Sequence, residues 1–185
     1  MSDKKYWLGF NLVKGIGPAK LQALLDAFDS LEAAWWATEP QLKKLGFDQR
    51  AINSLVETRS SLDLDASWRQ IEQANIQLLT WDDPGYPTYL REVPMPPPVL
   101  YLWGELREVD RFAVAVVGTR RLTGYGRQVT RDLVTGLVKS GVTIVSGLAR
   151  GIDAVAHKTA LEMNGRTLAV LGSGLDHIYP TEHRA

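Results

Sequence analysis

The 185-residue chain contains no cysteine, and this absence removes several classes of site. Without thiols the protein has no disulfide framework, no thiolate nucleophile and no cysteine-ligated zinc. The sequence also lacks an apolar run near the roughly 18 residues that a membrane-spanning helix needs. Its first residues, M-S-D-K-K-Y-W, do not resemble a secretory signal peptide. We therefore expect a cytoplasmic protein without a membrane span.

The formal net charge is zero, because 21 Lys/Arg residues balance 21 Asp/Glu residues. The balance is uneven along the chain: residues 1–111 hold 12 Lys/Arg against 16 Asp/Glu, whereas residues 112–185 hold nine against five. A neutral total can therefore conceal a basic face on the second part, of the kind that attracts nucleic acid. Ordinary scatter of charges explains the same numbers, and both interpretations stay open.

Hydrophobic periodicity indicates helices in residues 4–72 and an α/β arrangement later. Apolar residues recur at helical spacing after the turn G-I-G-P at residues 15–18. Strands are expected at 76–81 and 99–103. From residue 113 onward, apolar runs alternate with amphipathic helices, which predicts a parallel sheet whose strands are buried on both faces. The predicted strands are 113–117, 142–146 and 167–171, and the predicted helices between them are 124–140 and 152–164.

Glycine-rich turns follow each of the three predicted parallel strands. They read G-T-R at 118–120, S-G-L-A-R-G at 146–151 and G-S-G at 172–174. The carboxyl ends of parallel strands meet at one edge, where ligands bind and helix N-termini offer amide donors to anions. Arg120 and Arg150 add guanidinium groups suited to phosphate oxygens. The pattern predicts a phosphate-binding edge, although strand-to-helix packing explains any single glycine equally well.

The usual nucleotide-binding and catalytic patterns are absent. The chain has neither G-x-x-x-x-G-K-[ST] nor a G-x-G-x-x-G turn followed by an acidic residue, so we expect no dinucleotide cofactor. Ser146 is not in a G-x-S-x-G elbow, and Asp153 and His157 share one helix face, which is unsuited to a hydrolase triad. We expect Asp153 to cap the first turn of its helix and His157 to pack nearby. No catalytic residue or metal site is predicted.

The G-I-G-P turn is the core of a helix-hairpin-helix, which presents glycine amides to phosphate without reading sequence. Gly15, Gly17 and Lys20 are candidates for a second DNA contact; a purely structural hairpin is the alternative, which the acidic balance of this part favours. All six tryptophans lie at or before residue 103. The adjacent Trp35 and Trp36 point about 100° apart on a helix. One of them is therefore free to stack on a base or to seal a contact between the two parts.

Several stretches, in order along nearly the whole chain, resemble the DNA-processing protein A family, also called DprA or Smf. They are G-I-G-P, D-D-P-G-Y-P-T-Y-L, P-P-P-V-L-Y-L-W-G, V-V-G-T-R, S-G-L-A-R-G-I-D-A-V-A-H and V-L-G-S-G-L-D-H-I-Y-P. The resemblance implies a helical SAM-like domain at 1–72 and a Rossmann-like DNA-processing domain at 73–185. It also implies a non-enzymatic homodimer of natural transformation that binds single-stranded DNA, protects incoming DNA and loads a RecA-type recombinase.

The resemblance also implies which residues contact DNA phosphates. They are Gly118, Thr119, Arg120, Ser146, Gly147, Arg150, Gly151, Gly172, Ser173 and Gly174. Two departures from the family pattern are visible. His183 stands where an asparagine usually follows Y-P-x-x, and the family's Rossmann-like domain extends further than this sequence, so we expect the sheet to be incomplete at its C-terminal side.

Two other functions stay open at this point. A nucleotide-processing enzyme of the lysine-decarboxylase-like Rossmann type has similar glycine-rich turns, although its P-G-G-x-G-T motif is not present in the sequence. A protein-binding adaptor would use the same sheet edge to hold a partner protein.

Overall fold

The computed structural model describes residues 4–181 and divides the chain into two compact units, Met1–Gly104 and Glu105–Ala185. His183 lies outside the described residues. The units divide after the second strand, because the first two strands pack with the N-terminal helices. The domain limits 1–72 and 73–185 stay a prediction, since compactness alone does not define domains. Between residues 4 and 181, no helix is long and apolar enough to cross a bilayer.

The first unit consists of short helices followed by a two-stranded sheet. Its elements are α1 (Lys4–Leu12), α2 (Pro18–Ala27), α3 (Leu31–Trp35), α4 (Glu39–Lys44), α5 (Gln49–Ser61), α6 (Leu64–Gln73), β1 (Ile76–Thr80), α7 (Thr88–Arg91) and β2 (Val99–Trp103). The helix α7 was not predicted, because D-D-P-G-Y-P indicates a turn and the helix that follows has one turn only.

Side-chain caps fix where several of these helices begin. Ser30, Asp48 and Asp63 each accept a hydrogen bond from a backbone N–H in the first turn of the helix that follows. Such caps satisfy amides that have no partner within the helix, and each contributes about 1 kcal/mol. At α2 the sequence uses Pro18 in the first position instead, with Gly15 in the left-handed region at φ 88°.

The core of the first unit is built on α1 and packs aromatic side chains edge to face. Trp35 lies against Phe10 with ring centroids 5.1 Å apart, and Trp7 meets Trp81 at 5.7 Å. Trp35 is buried whereas its neighbour Trp36 is exposed, which confirms that only one of the pair points inward. The antiparallel strands β1 and β2 close this core through Leu78 and other side chains.

The second unit is a three-stranded parallel sheet with two long helices. Its elements are a 3-10 turn (Glu108–Arg111), β3 (Ala113–Ala115), α8 (Gly124–Lys139), β4 (Thr143–Ser146), α9 (Ile152–Glu162) and β5 (Thr167–Ala169). The strand order is β3-β4-β5, with Val114 opposite Ile144 and Ile144 opposite Thr167. This alternation confirms the predicted Rossmann-like arrangement, although the strands are one or two residues shorter than expected.

Burial of the strands on both faces was predicted, and this is wrong for the outer positions. Val114, Val117 and Val170 remain largely exposed, whereas Ile144 on the central strand is fully buried. The physical reason lies in the helices: α8 and α9 pack on each other and on β4, so they cover one face of the sheet. The apolar core of this unit is therefore confined to the side of the sheet that faces the two helices.

An ion pair fixes the amino-terminal edge of this sheet. The carboxylate of Asp110 accepts hydrogen bonds from Arg166 Nε and, at 2.7 Å, from Arg166 Nη2, and a third from the hydroxyl of Thr143 at 3.1 Å. Burial by itself raises the pKa of Asp110, whose side chain is only 8 % exposed. The hydrogen bonds from Arg166, from the Arg107 amide and from Thr143 outweigh burial, so the pKa is lowered.

Because the folded pKa of Asp110 lies below that of an ordinary carboxyl group, its contribution to stability is present above about pH 4 and disappears as the pH falls further. We therefore expect Asp110→Asn to destabilise the second unit by about 2 kcal/mol at neutral pH. The difference from the wild type should shrink in acid. Urea unfolding followed by hydrogen exchange of the β4 amides measures this.

Glu108→Gln is the matched control, because it removes a carboxylate from the same 3-10 turn whose side chain is 83 % exposed. Its effect should be near zero. Tryptophan fluorescence reports the first unit, where all six tryptophans lie, and should be unchanged in both variants. Equal stability of Asp110→Asn and wild type at neutral pH would contradict this account of the ion pair.

Candidate functional site

Glycine at position 151 brings the β3–α8 turn against the β4–α9 turn. Gly151 has φ 87°, and a Cβ placed on it would lie 2.1 Å from the Thr119 carbonyl oxygen and 2.7 Å from Arg120 Cα. The Ile152 amide, the first of α9, donates to that same Thr119 oxygen at 3.1 Å. A Cβ on Gly118 would likewise meet the Ile152 side chain, at 2.6 Å. These two glycines allow the two backbones to touch, which a larger residue would prevent.

Threonine side chains shape the rest of the first turn. The Thr119 hydroxyl oxygen accepts a hydrogen bond from the Arg121 amide at 3.1 Å, and Thr123 caps α8 by accepting from the Gly126 amide at 3.1 Å. The turn therefore has a fixed backbone, while the side chains of Arg120 and Arg121 are exposed. No carboxylate among residues 4–181 forms an ion pair with either arginine, so both charges face solvent.

The third glycine-rich turn lies beside the second one. The Val170 amide donates to the Ser146 carbonyl at 2.9 Å, and a Cβ on Gly147 would lie 3.8 Å from the Val170 oxygen. Gly172, Ser173 and Gly174 follow in an exposed loop. All three predicted turns are thus adjacent at the carboxyl edge of the sheet.

Asp153 has a different role from the predicted one. Its carboxylate accepts hydrogen bonds from the amides of Gly147 at 3.2 Å and Ala149 at 3.4 Å, which belong to the preceding turn. The expectation that it caps the first turn of α9 is therefore wrong; Gly151 occupies the cap position, without a side-chain bond. Because the buried carboxylate of Asp153 occupies these two amides, they already have an acceptor and are not free donors for a phosphate.

Ser146 also has a structural role in this arrangement. Its side chain is buried at 3 % exposure, and its hydroxyl donates to the Val116 carbonyl at 2.6 Å, which ties β4 to the end of β3. His157 is buried as well, with Nδ1 2.7 Å from the Thr167 hydroxyl oxygen. Because that hydroxyl donates to the Ile144 carbonyl, the imidazole is the donor. Both residues stabilise the scaffold, as expected for His157.

The predicted site residues thus divide into a scaffold and an accessible surface. Gly118, Gly147, Gly151 and Ser146 set the backbone, and of these Gly118 is exposed. The other exposed residues of the predicted site are Thr119, Arg120, Arg150, Gly172, Ser173 and Gly174. We call the second set, together with Arg121, the rim. Arg121 was not singled out from the sequence, although its position directly after Arg120 in V-V-G-T-R-R is a usable signal.

The residues of the rim are exposed to solvent. Two clefts among the described residues lie elsewhere: one of about 300 Å³ is lined by Lys139 and Arg166 at the opposite edge of the sheet, and another lies along β1 in the first unit. Small cofactors are usually held in concave pockets that enclose most of their surface. An exposed, positively charged rim is better suited to an extended anionic polymer.

Lys20, the cation of the helix-hairpin-helix that was predicted to contact DNA, is already paired with a carboxylate in the first unit. Lys20 Nζ lies 2.7 Å from a carboxylate oxygen of Asp48 and 5.5 Å from the centroid of the Phe47 ring. The hydrogen bond from Lys20, together with one from the Ala51 amide, lowers the pKa of Asp48 to about 2. A Cβ on Gly17 would meet no atom within 4 Å, so the turn itself is open.

We expect Gly151→Ala to destabilise the second unit by about 2 to 4 kcal/mol, because alanine is strained at this φ and its Cβ overlaps the Thr119 carbonyl. Gly136→Ala is the control: it lies inside α8 with open space around it, and alanine there should stabilise the helix by about 1 kcal/mol. Hydrogen exchange of the β4 amides compares the two variants. If both variants were equally stable, the contact between the two turns would not constrain the fold.

Comparison with known proteins supports the family assignment. The family model described as DNA recombination-mediator protein A matches residues 77–185. Protein Smf of Synechocystis sp. is 46 % identical over 188 aligned residues, which cover 99 % of this chain and 47 % of that protein. The chain therefore spans about half the length of this relative.

Two solved structures show the same fold. The X-ray structure of DNA processing protein A from Streptococcus pneumoniae superimposes with a TM-score of 0.77 at 28 % identity, over 100 % of this chain and 63 % of that chain. DNA processing protein A from Helicobacter pylori, whose structure concerns its single-stranded DNA binding mode, gives a TM-score of 0.50 at 36 % identity, over 60 % and 49 %. Since the family model covers more than half of the sequence, the chain belongs to the DNA recombination-mediator protein A family.

Proposed function

We propose that the chain binds single-stranded DNA at the rim, through phosphate contacts that do not depend on base sequence. The observation that carries this proposal is the placement of Arg120 on a turn fixed by Gly151 and the Ile152 amide. A guanidinium on a fixed backbone binds phosphate oxygens at a smaller entropic cost than one on a mobile loop. The similarity to the H. pylori protein, which binds single-stranded DNA, supports the same ligand.

The contacting residues in this proposal are exposed arginines, hydroxyl side chains and loop glycines. Arg120 and Arg150 supply charge, while Thr119, Ser173 and the exposed glycines Gly172 and Gly174 supply backbone or hydroxyl donors. Gly118, Gly147, Gly151 and Ser146 contribute by shaping the turns. The amides of Gly147 and Ala149 already donate to Asp153, so the arginines account for more of the binding than the sequence pattern alone suggests.

Membership of the family supports further proposals about the role of the chain in the cell. We propose that the chain acts without catalysis in the cytoplasm, protects DNA taken up in natural transformation, and loads a RecA-type recombinase onto it as part of a homodimer. The family description as a recombination mediator favours this role. Gly15, Gly17 and Lys20 stay a second, weaker DNA contact in this scheme, because Lys20 must leave Asp48 to reach a phosphate.

Arg120→Ala should weaken binding to every single-stranded sequence alike, by about tenfold, because it removes one charge-assisted phosphate contact. The slope of log affinity against log salt should become shallower by about 0.7. Fluorescence anisotropy with labelled oligonucleotides of several sequences, at a series of salt concentrations, measures both quantities.

Lys139→Ala is the matched control for this titration, because it removes one positive charge from the same unit at the far end of α8. It should leave the affinity and the slope close to the wild-type values. Unchanged affinity for Arg120→Ala, or an equal loss in both variants, would contradict phosphate binding at the rim. Release of free base or ribose phosphate from nucleotides would favour an enzyme instead.

Recombinase loading has its own readout. Wild-type chain should shorten the lag before a RecA-type recombinase assembles on single strands covered by a single-strand-binding protein, and Arg120→Ala should not. Sedimentation of the chain alone tests the dimer. If the lag is the same in the presence and in the absence of the wild-type chain, the chain does not load the recombinase.

A further inference from the structure

Two exposed tyrosines stand beside the rim, and the phosphate contacts make no use of them. Tyr125 lies in the first turn of α8 and is 81 % exposed. Tyr179 follows the third glycine-rich turn and is 58 % exposed. Exposed aromatic side chains next to a positively charged surface are suited to stack on flat, anionic ligands. Their position raises the question of what they bind.

Both tyrosines lie near residues of the glycine-rich turns. Gly126, next to Tyr125, is packed near the first turn of α9, since its Cβ would lie 3.9 Å from Ile152 Cδ1. The guanidinium carbon of Arg150 lies 5.9 Å from the centroid of the Tyr179 ring. Tyr125 therefore lies on the helix that follows the Arg120 turn, and Tyr179 lies close to Arg150.

Most charges around the two rings are positive. Residues 118–127 contain Arg120, Arg121 and Arg127 and no acidic residue. The second turn adds Arg150, and its acidic neighbour Asp153 is buried. Asp176 is the exposed carboxylate of the third turn, and it pairs with His177 at 2.9 Å. A ligand of these rings would therefore carry negative charge close to a flat apolar group.

We propose that Tyr125 and Tyr179 are base-stacking positions, which hold two bases of a single strand whose phosphates lie on the rim arginines. This proposal rests on the proposed function and adds contacts to the bases, which the phosphate contacts do not involve. Every base has a π-face, so stacking adds affinity without sequence preference. The Arg150 guanidinium already lies near one ring, an arrangement that leaves the ring's exposed part for a base.

Stacking also gives the rim a preference for single strands over duplexes. In a duplex the bases are paired and stacked on each other, and their faces are not accessible to a side chain. A protein that binds phosphates alone binds both forms, whereas one that also stacks bases requires them unpaired. The two tyrosines thus supply a preference that the arginines cannot supply.

The test compares an oligonucleotide of thymidines with an abasic oligonucleotide of the same length, which keeps the phosphates and lacks the bases. Wild type should bind the thymidine strand more tightly. Tyr125→Ala and Tyr179→Ala should each lower affinity for the thymidine strand by about tenfold and leave affinity for the abasic strand unchanged. Tyr125→Phe and Tyr179→Phe should retain wild-type binding, because they keep the ring.

Tyr89→Ala is the matched control, since Tyr89 is 63 % exposed in the first unit, and it should have no effect on either strand. Equal wild-type affinity for both strands, or an equal loss on both strands in the alanine variants, would overturn the stacking proposal. That result would leave phosphate binding intact if Arg120→Ala still weakens both. A wild type that binds neither strand would instead overturn the proposed function itself.

Discussion

The hydrogen bond from the Ile152 amide to the Thr119 carbonyl joins the two turns on which the functional surface depends. It forms only because Gly118 and Gly151 let the backbones approach, one against the Ile152 side chain and the other against Thr119 itself. Arg120 follows the acceptor Thr119 directly in sequence, so this hydrogen bond also holds the backbone of Arg120 in place. An arginine on a rigid turn at the end of a parallel sheet is a suitable phosphate ligand, because little backbone order has to be created on binding.

Although the total charge of the protein is zero, many of its charged side chains are paired whereas Arg120 and Arg121 are exposed. In the first unit, Lys4, Lys5, Lys20 and Lys43 each form an ion pair with a carboxylate. In the second unit, the carboxylate of Asp153 is buried against backbone amides, and that of Asp110 is bound to Arg166 at the opposite edge. Arg120 and Arg121 of the rim are exposed and form no ion pair with a carboxylate among residues 4–181. These two arginines therefore place positive charge where the strands end.

The sequence predicted the order of strands and helices in the second unit because its signals are strong and local: short apolar runs, glycine-rich turns and amphipathic helices. It also located the three turns at one edge, since parallel strands share their direction. It could not show that Asp153 accepts hydrogen bonds from the preceding turn. An acidic residue at the start of a helix can accept from the amides of the helix or from those of the turn before it, and the path of the chain decides which are within reach. The burial of Ser146 follows from its place on the central strand, between β5 and the Val116 carbonyl, which the sequence does not reveal.

Other features depended on tertiary contacts in the same way. The pairing of Lys20 with Asp48 links residues 28 positions apart, and no local pattern indicates it. The exposed state of Val117 and Val170 depends on which face the two helices cover, whereas apolar composition alone suggested burial on both faces. Tyr125 and Tyr179 were visible in the sequence, but their exposure, on which the stacking proposal depends, was not.

The central claim is that the turns at the carboxyl edge of the sheet hold the sugar-phosphate chain of a single strand. Hydrogen exchange of the full chain, with and without a thymidine oligonucleotide, tests it most directly. The account predicts slower exchange in residues 118–127, 147–152 and 171–180, with little change at the opposite edge around Lys139 and Arg166. Protection confined to residues 4–104, with the three turns unaffected, would contradict it.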